Sequence, residues 1–247
     1  MTWPAMTSVV PFRPAGLLAL ALLLGLAGLL AGCGGILSGP PQRQIYRVSP
    51  EFHFPAGLPH VHAQLLVATP TAPSALDTVR IALSRTPVSL DYLADAEWTD
   101  RAPFLVQEAL VEGFEKSAAI PAVGSDSGDL RADFVLDTAI RDFEAVYQTP
   151  NGPPRVVVRL DVRLVRMPER SILAQTTLHR EAPAAANAAP DIVRAFNAAL
   201  GEAAADAVRW TLANPALSER HRSGISWTRF VHAGGGAGTG ESARARE

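Results

Sequence analysis

An α+β fold, a mostly antiparallel sheet with two helices packed on one face, is what this sequence predicts, and three observations predict it. Apolar residues alternate with period two through consecutive segments between Phe134 and Glu181, the pattern of half-buried strands. Two longer segments, 101–117 and 191–213, repeat apolar residues every third or fourth position, as one face of a helix does. Strand signals come in runs with helix signals between the runs, which matches helices segregated on a sheet rather than strict alternation of the two.

In chain order, 45–48 and 61–68 are rich in β-branched and apolar residues and bounded by Pro50, Pro59 and Pro70, so both read as strands. Residues 79–83 and 88–93 flank Arg85-Thr86-Pro87 and form a hairpin or two short edge strands. Asp100 is placed to cap a helix over 101–117, with Pro103 in the first turn, where a missing amide donor costs least. Val106, Leu110 and Phe114, with Ala109 and Gly113, make its apolar stripe. After a polar break at 126–128, Phe134, Leu136 and Ile140 alternate with Asp133, Asp137 and Arg141. The partner strand is 155–167, and the turn residues of 149–154 join the two as an antiparallel hairpin. Asp137 and Arg141 can then face Arg163 and Asp161, and the arginine row reads as a solvated sheet face. A turn over 167–171 leads to a strand over 172–181. The Ala-rich 183–189 links to the second helix, whose Ile192, Phe196, Leu200, Ala203, Ala207 and Thr211 form one stripe that ends before Asn214-Pro215.

The 247 residues divide into an export signal over 1–32, a tether over 33–43, one α+β domain over 44–215, and a largely disordered tail over 216–247 containing the run Gly234-Gly-Gly-Ala-Gly-Thr-Gly240. A domain of that size hides about 70% of its unfolded surface and needs neither disulfide nor metal for stability. With 22 basic and 24 acidic residues the charge is balanced, which gives no footprint for nucleic acid. Arg13 is the one charged residue before an uncharged run over 15–30, and the run ends in Leu30-Ala31-Gly32-Cys33. This resembles the bacterial lipobox, in which the chain is cut before the cysteine and the thiol accepts diacylglycerol. Cys33 is the only cysteine, so lipidation also explains a lone thiol in an exported chain. Two or three acyl chains would anchor it stably at a membrane. The other reading is an ordinary signal cut near Ala31 that leaves the thiol idle. Gly34 and Gly35 follow the cysteine, so an aspartate of inner-membrane retention is absent and the outer membrane is favoured.

No catalytic residues are assigned. The chain has no Gly-x-Ser-x-Gly elbow, Walker A loop, dinucleotide-binding glycine fingerprint or His-Glu-x-x-His pair. His60 and His62, with His53 nearby, could share a strand face and chelate, but no cluster of Asp, Glu or Cys accompanies them, and strand-end histidines are the better reading; no metal or other cofactor is expected. Asp91, Asp95, Glu97 and Asp100 surround Tyr92 and Trp98. They read as a solvated loop capping the first helix, with Trp98 buried beside it, rather than as an acid–base pair.

The segments Ile45-Tyr46-Arg47-Val48, Val67-Ala-Thr-Pro70, Ala75-Leu-Asp-Thr-Val-Arg-Ile81 and Leu90-Asp-Tyr-Leu-Ala-Asp-Ala-Glu-Trp-Thr-Asp100, with Val193-Arg-Ala-Phe-Asn-Ala-Ala-Leu200 near the end, resemble in order and spacing the ABC-type transport auxiliary lipoprotein family, the PqiC-like components of MCE transport systems. The likeness covers about 44–213. It implies a non-enzymatic, lipid-anchored, periplasm-facing partner of an MCE-domain protein that works with an ABC permease and ATPase to move lipids or other apolar compounds. It also implies self-association to match the MCE ring. Tyr46, Tyr92, Trp98 and Phe104 are the first candidates for docking, because aromatics are enriched at interface hot spots. The competing functions are an envelope-assembly lipoprotein serving outer-membrane barrels or lipopolysaccharide insertion, and a hydrolase built on Asp95, Glu97 and His62.

Overall fold

The structure, a computed structural model, describes residues 43–125 and 132–217. Cys33, the expected export signal and the tail beyond Leu217 lie outside the described residues. Eight strands and two long helices follow one another: β1 Gln44–Tyr46, β2 Gln64–Val67, β3 Arg80–Thr86, β4 Ser89–Trp98, α1 Ala102–Ser117, β5 Ala122–Ser125, β6 Phe134–Val146, β7 Arg155–Arg166, β8 Ser171–Pro183 and α2 Ala189–Leu212. No helix among the described residues is long and apolar enough to cross a membrane.

The sheet is mixed, which corrects the mostly antiparallel sheet expected from the sequence. β3–β4, β6–β7 and β7–β8 pair antiparallel, whereas β1–β4, β2–β5, β2–β6 and β3–β6 pair parallel. β7 takes one whole edge of β6. The other edge is shared: β2 pairs with its start through Leu65↔Phe134 and Leu66↔Val135, Thr71 bridges Ala139, and β3 meets its end through Leu83↔Ala145. Alternation tells which side chains face the core but not which strand lies alongside, so the parallel pairings left no trace in the local pattern.

The β6–β7–β8 meander is as expected. Val156, Val158, Leu160, Val162 and Leu164 are all buried, and the facing Phe134, Leu136, Ile140 and Phe143 on β6 join them. On the outer face, Arg163 meets Asp137 at 3.4 Å, Arg141 meets Asp161 at 2.6 Å and Arg159 meets Asp142 at 2.6 Å. Hydrogen bonds from Thr177 and Arg141 hold the Asp161 carboxyl below its ordinary pKa. Glu144 behaves oppositely: desolvation raises its pKa, a hydrogen bond from Ser84 partly offsets this, and Asp142 adds repulsion. A carboxyl whose folded pKa is raised favours folding below its unfolded pKa and opposes it above its folded one. Glu144→Gln is therefore expected to raise the denaturation midpoint slightly at neutral pH, and the gain should vanish on acidification; denaturant titration at several pH values checks this.

β4 runs on to Trp98, so the acidic stretch expected as a loop is a strand. It accommodates its extra residues by a bulge: Tyr92 pairs with Ala82 and Glu97 with Arg80, and Asp95 takes φ 53° between them. α1 begins without a side-chain cap, with Arg101 at the N-cap and Pro103 in the first turn. The expected cap by Asp100 does not form, because its Oδ1 accepts instead from the Arg101 amide at 2.6 Å. β5, which carries little apolar pattern, is defined by its parallel pairing with β2.

Both helices cover the sheet's apolar face. α2 lies on β7 and β8 and against α1, while α1 lies over β2 and β5. Gln107, buried on α1, donates to the carbonyl of Val67 at 2.9 Å and so ties α1 to β2. Arg180 on β8 pairs with Asp206 on α2. Over the helices runs a strap, 49–54: the Ser49 amide donates to Asn197 at 3.0 Å, and the Phe52 ring lies beside Gly113 and stacks with Phe54. Where it crosses α2, a Cβ on Gly201 would stand 2.4 Å from the carbonyl oxygen of Glu51. Gly201→Ala is thus expected to lift the strap and cost about 1–3 kcal/mol, the usual range for overpacking, read from the denaturation midpoint.

Candidate functional site

The four candidate docking aromatics separate. Trp98 is only 2% exposed, edge-on to Phe196 at 5.1 Å and tilted against Phe143 at 6.0 Å. It is a core residue, and its candidacy for docking falls. Tyr46, Tyr92 and Phe104 are half-buried at the surface. The Tyr92 hydroxyl donates to the Ala75 carbonyl at 3.0 Å, and the Arg80 guanidinium lies 3.7 Å over its ring. Tyr46 pairs in register with Trp98. It leads into a cleft of about 490 Å³ between 47–50 and α1, which Phe104 lines together with Arg47, Val48, Glu108 and Glu112.

A second surface was missed by sequence reasoning. Leu66 pairs with Val135, Val135 with Val165 and Val165 with Ile172, so one apolar row crosses four strands on the sheet's outer face. Met167 extends it, and a hollow of about 280 Å³ lies over Leu66, Val135, Val165 and Met167. Ile172 at its end is 57% exposed. A signal was available: Phe134-Val135-Leu136 and Leu164-Val165 are unbroken apolar runs where alternation demands polar residues.

The alternative chemistries find little support in the geometry. His53, His60 and His62 are exposed and precede β2 rather than sharing a strand face, and among the described residues no group of three or more His, Cys, Asp or Glu is placed to hold a metal ion. Of the acidic residues near Trp98, Glu97 pairs with Arg43 and Asp100 holds the Arg101 amide, while Asp95 sits in the bulge.

Comparison with known proteins accords with this geometry. The protein bll6063 of Bradyrhizobium diazoefficiens is 30% identical over 196 residues, covering 76% of this chain and 50% of that protein, so the chain spans about half the length of the curated relative it matches. The crystal structure of XCC0632 from Xanthomonas campestris superposes with a TM-score of 0.66 at 27% identity, over 72% of this chain and 99% of that one. A further crystal structure, of an uncharacterized protein, shares the fold with a TM-score of 0.54 at 14% identity, over 69% of this chain and 99% of that one. Residues 52–208, most of the described domain from the strap through α2, match the family described as the ABC-type transport auxiliary lipoprotein component, and the chain belongs to that family.

Proposed function

We propose that the protein is the lipid-anchored, non-enzymatic auxiliary component of an MCE-type transport system, held by acylated Cys33 at the periplasmic side of the outer membrane and docking on an MCE-domain protein served by an ABC permease and ATPase. The observation that carries this reading is the family match over 52–208. The docking candidates are the cleft that Phe104 lines beside Tyr46, the separately placed Tyr92, and the apolar row ending at Ile172. Contiguous exposed apolar side chains on a folded domain mark interaction sites. The acidic side chains of α1 favour a partner that brings amides or basic groups to the cleft. Self-association around the MCE ring would use the same surfaces or the edge of β8, which among the described residues pairs only with β7.

The test is affinity purification of the tagged full chain from its own host in detergent, with mass spectrometry of bound proteins. An MCE-domain protein is expected, and Phe104→Ala and Ile172→Asp should each lower its recovery severalfold. Recovery of β-barrel proteins instead would move the protein to envelope assembly.

A further inference from the structure

The direction of β1 distinguishes the two ends of the domain. β1 runs parallel to the last residues of β4, with Gln44↔Ala96 and Tyr46↔Trp98. The amino-terminal end of β1 therefore points toward the same end of the domain as the start of β4, where the two-residue turn Pro87-Val88 closes the β3–β4 hairpin. Val88 at that turn is 96% exposed and Leu90 beside it 37%. A third exposed large apolar residue, Ile45 at 66%, lies on the same edge at the root of the tether. Among the described residues, this valine at the tip of a hairpin has no apolar partner that explains it.

Reach separates the two orientations. Gln44 lies near the level of Ile81 through the register of β4 on β3, so the tip stands about 20 Å further along at roughly 3.3 Å per residue. Gly34 to Arg43 is ten residues, which extend to at most about 33–36 Å. A tether that continued the line of β1 would bring the tip to the bilayer with slack to spare. The opposite end, at the 167–170 turn, lies about 30 Å the other way, and reaching the membrane there would require the tether to reverse at Gln44 and then run nearly fully extended.

We infer that the Pro87-Val88 tip, with Leu90, contacts the lipid bilayer and fixes the domain's orientation on it. This rests on the acylation of Cys33. Val88 and Leu90 would enter the headgroup region, and the apolar row ending at Ile172 would point away from the membrane.

The test uses the full-length lipoprotein reconstituted in phosphatidylethanolamine–phosphatidylglycerol vesicles. Acylation of the only native cysteine leaves an introduced thiol as the single labelling site. Val88→Cys and, as the far-end control, Ile172→Cys are labelled with an environment-sensitive fluorophore; both positions are exposed, so neither change burdens the fold. The label at 88 is expected to shift to the blue and to be quenched about twofold or more by lipid-borne nitroxide, consistent with burial about 5–10 Å into the headgroup boundary, while the label at 172 stays accessible to aqueous iodide. Vesicle flotation and the mass of the N-terminal peptide are read in the same samples. A protein that neither floats nor carries acyl chains removes the anchor, and the inference falls with it. If the protein is acylated and floats, but nitroxide fails to quench the label at 88, the inference alone is overturned. Shielding of that label from iodide without nitroxide quenching would assign the tip to a protein contact, and this also overturns it.

Discussion

Phe196→Ala is expected to destabilise the domain by about 3–5 kcal/mol, the range for deleting a fully buried phenylalanine ring. Phe196 sits on α2 and is wholly buried. Its ring meets Trp98 of β4 at 5.1 Å and Phe143 of β6 at 4.8 Å, so one side chain joins a helix to two strands that β3 separates in the sheet. The cavity left by its loss would be lined by two rigid rings that cannot readily collapse into it. Equilibrium denaturation of the wild type and the variant measures the effect. Arg194→Ala, two residues earlier on the exposed face where Arg194 pairs with Asp191, serves as control and should change stability by less than about 0.5 kcal/mol. Phe143→Ala should be comparable to Phe196→Ala, and the double variant less than additive, because the two residues share one contact. A loss under about 1 kcal/mol for Phe196→Ala would mean that this cluster does not hold α2 to the sheet.

The second large effect is all-or-none. If the proposed lipid anchor holds, Cys33→Ala is expected to abolish acylation and to leave the chain at precursor mass, since in that reading removal of the signal follows lipidation of the thiol. Such a precursor would stay with the membrane through its uncut apolar run, so membrane fractionation alone does not read the result; the mass of the N-terminal peptide does. The folded domain should be unchanged, because its first strand starts at Gln44. A variant that is cut near Ala31 and released to the periplasm would show an ordinary signal peptide and refute the lipid anchor.

What the sequence revealed depended on the range of the interaction. The β6–β7 register was readable because a turn-rich 149–154 lies between two alternating segments, and the Asp137–Arg163 and Arg141–Asp161 pairs follow from it. Both helices were readable from their stripes, although α2 starts at Ala189 rather than at Asp191. β5, the strap and the parallel pairings were not, because each is defined by residues far away in the chain. The strap shows this plainly: Pro50 and Pro59 read as punctuation between strands, and only Gly113 and Gly201, two small residues on different helices, hint that backbone must pass close by. At the surface, a list of aromatics pointed to Trp98 although burial decides its role, whereas the apolar row escaped because its members come from four separate strands.

The divided edge of β6 bears on how the protein comes into being. β1 to β3 leave the ribosome and, in an exported chain, enter the periplasm before the long strand that β2 and β3 must both join. Until β6 arrives, β2 and β3 have no partner along that edge, and pairings between distant segments close slowly. The β6–β7–β8 meander needs only neighbouring residues and can form first, as a template onto which the earlier segments are laid. On this order β2 and the outer edge of β3 join the meander late, whereas the β3–β4 hairpin, closed by a two-residue turn, can form on its own.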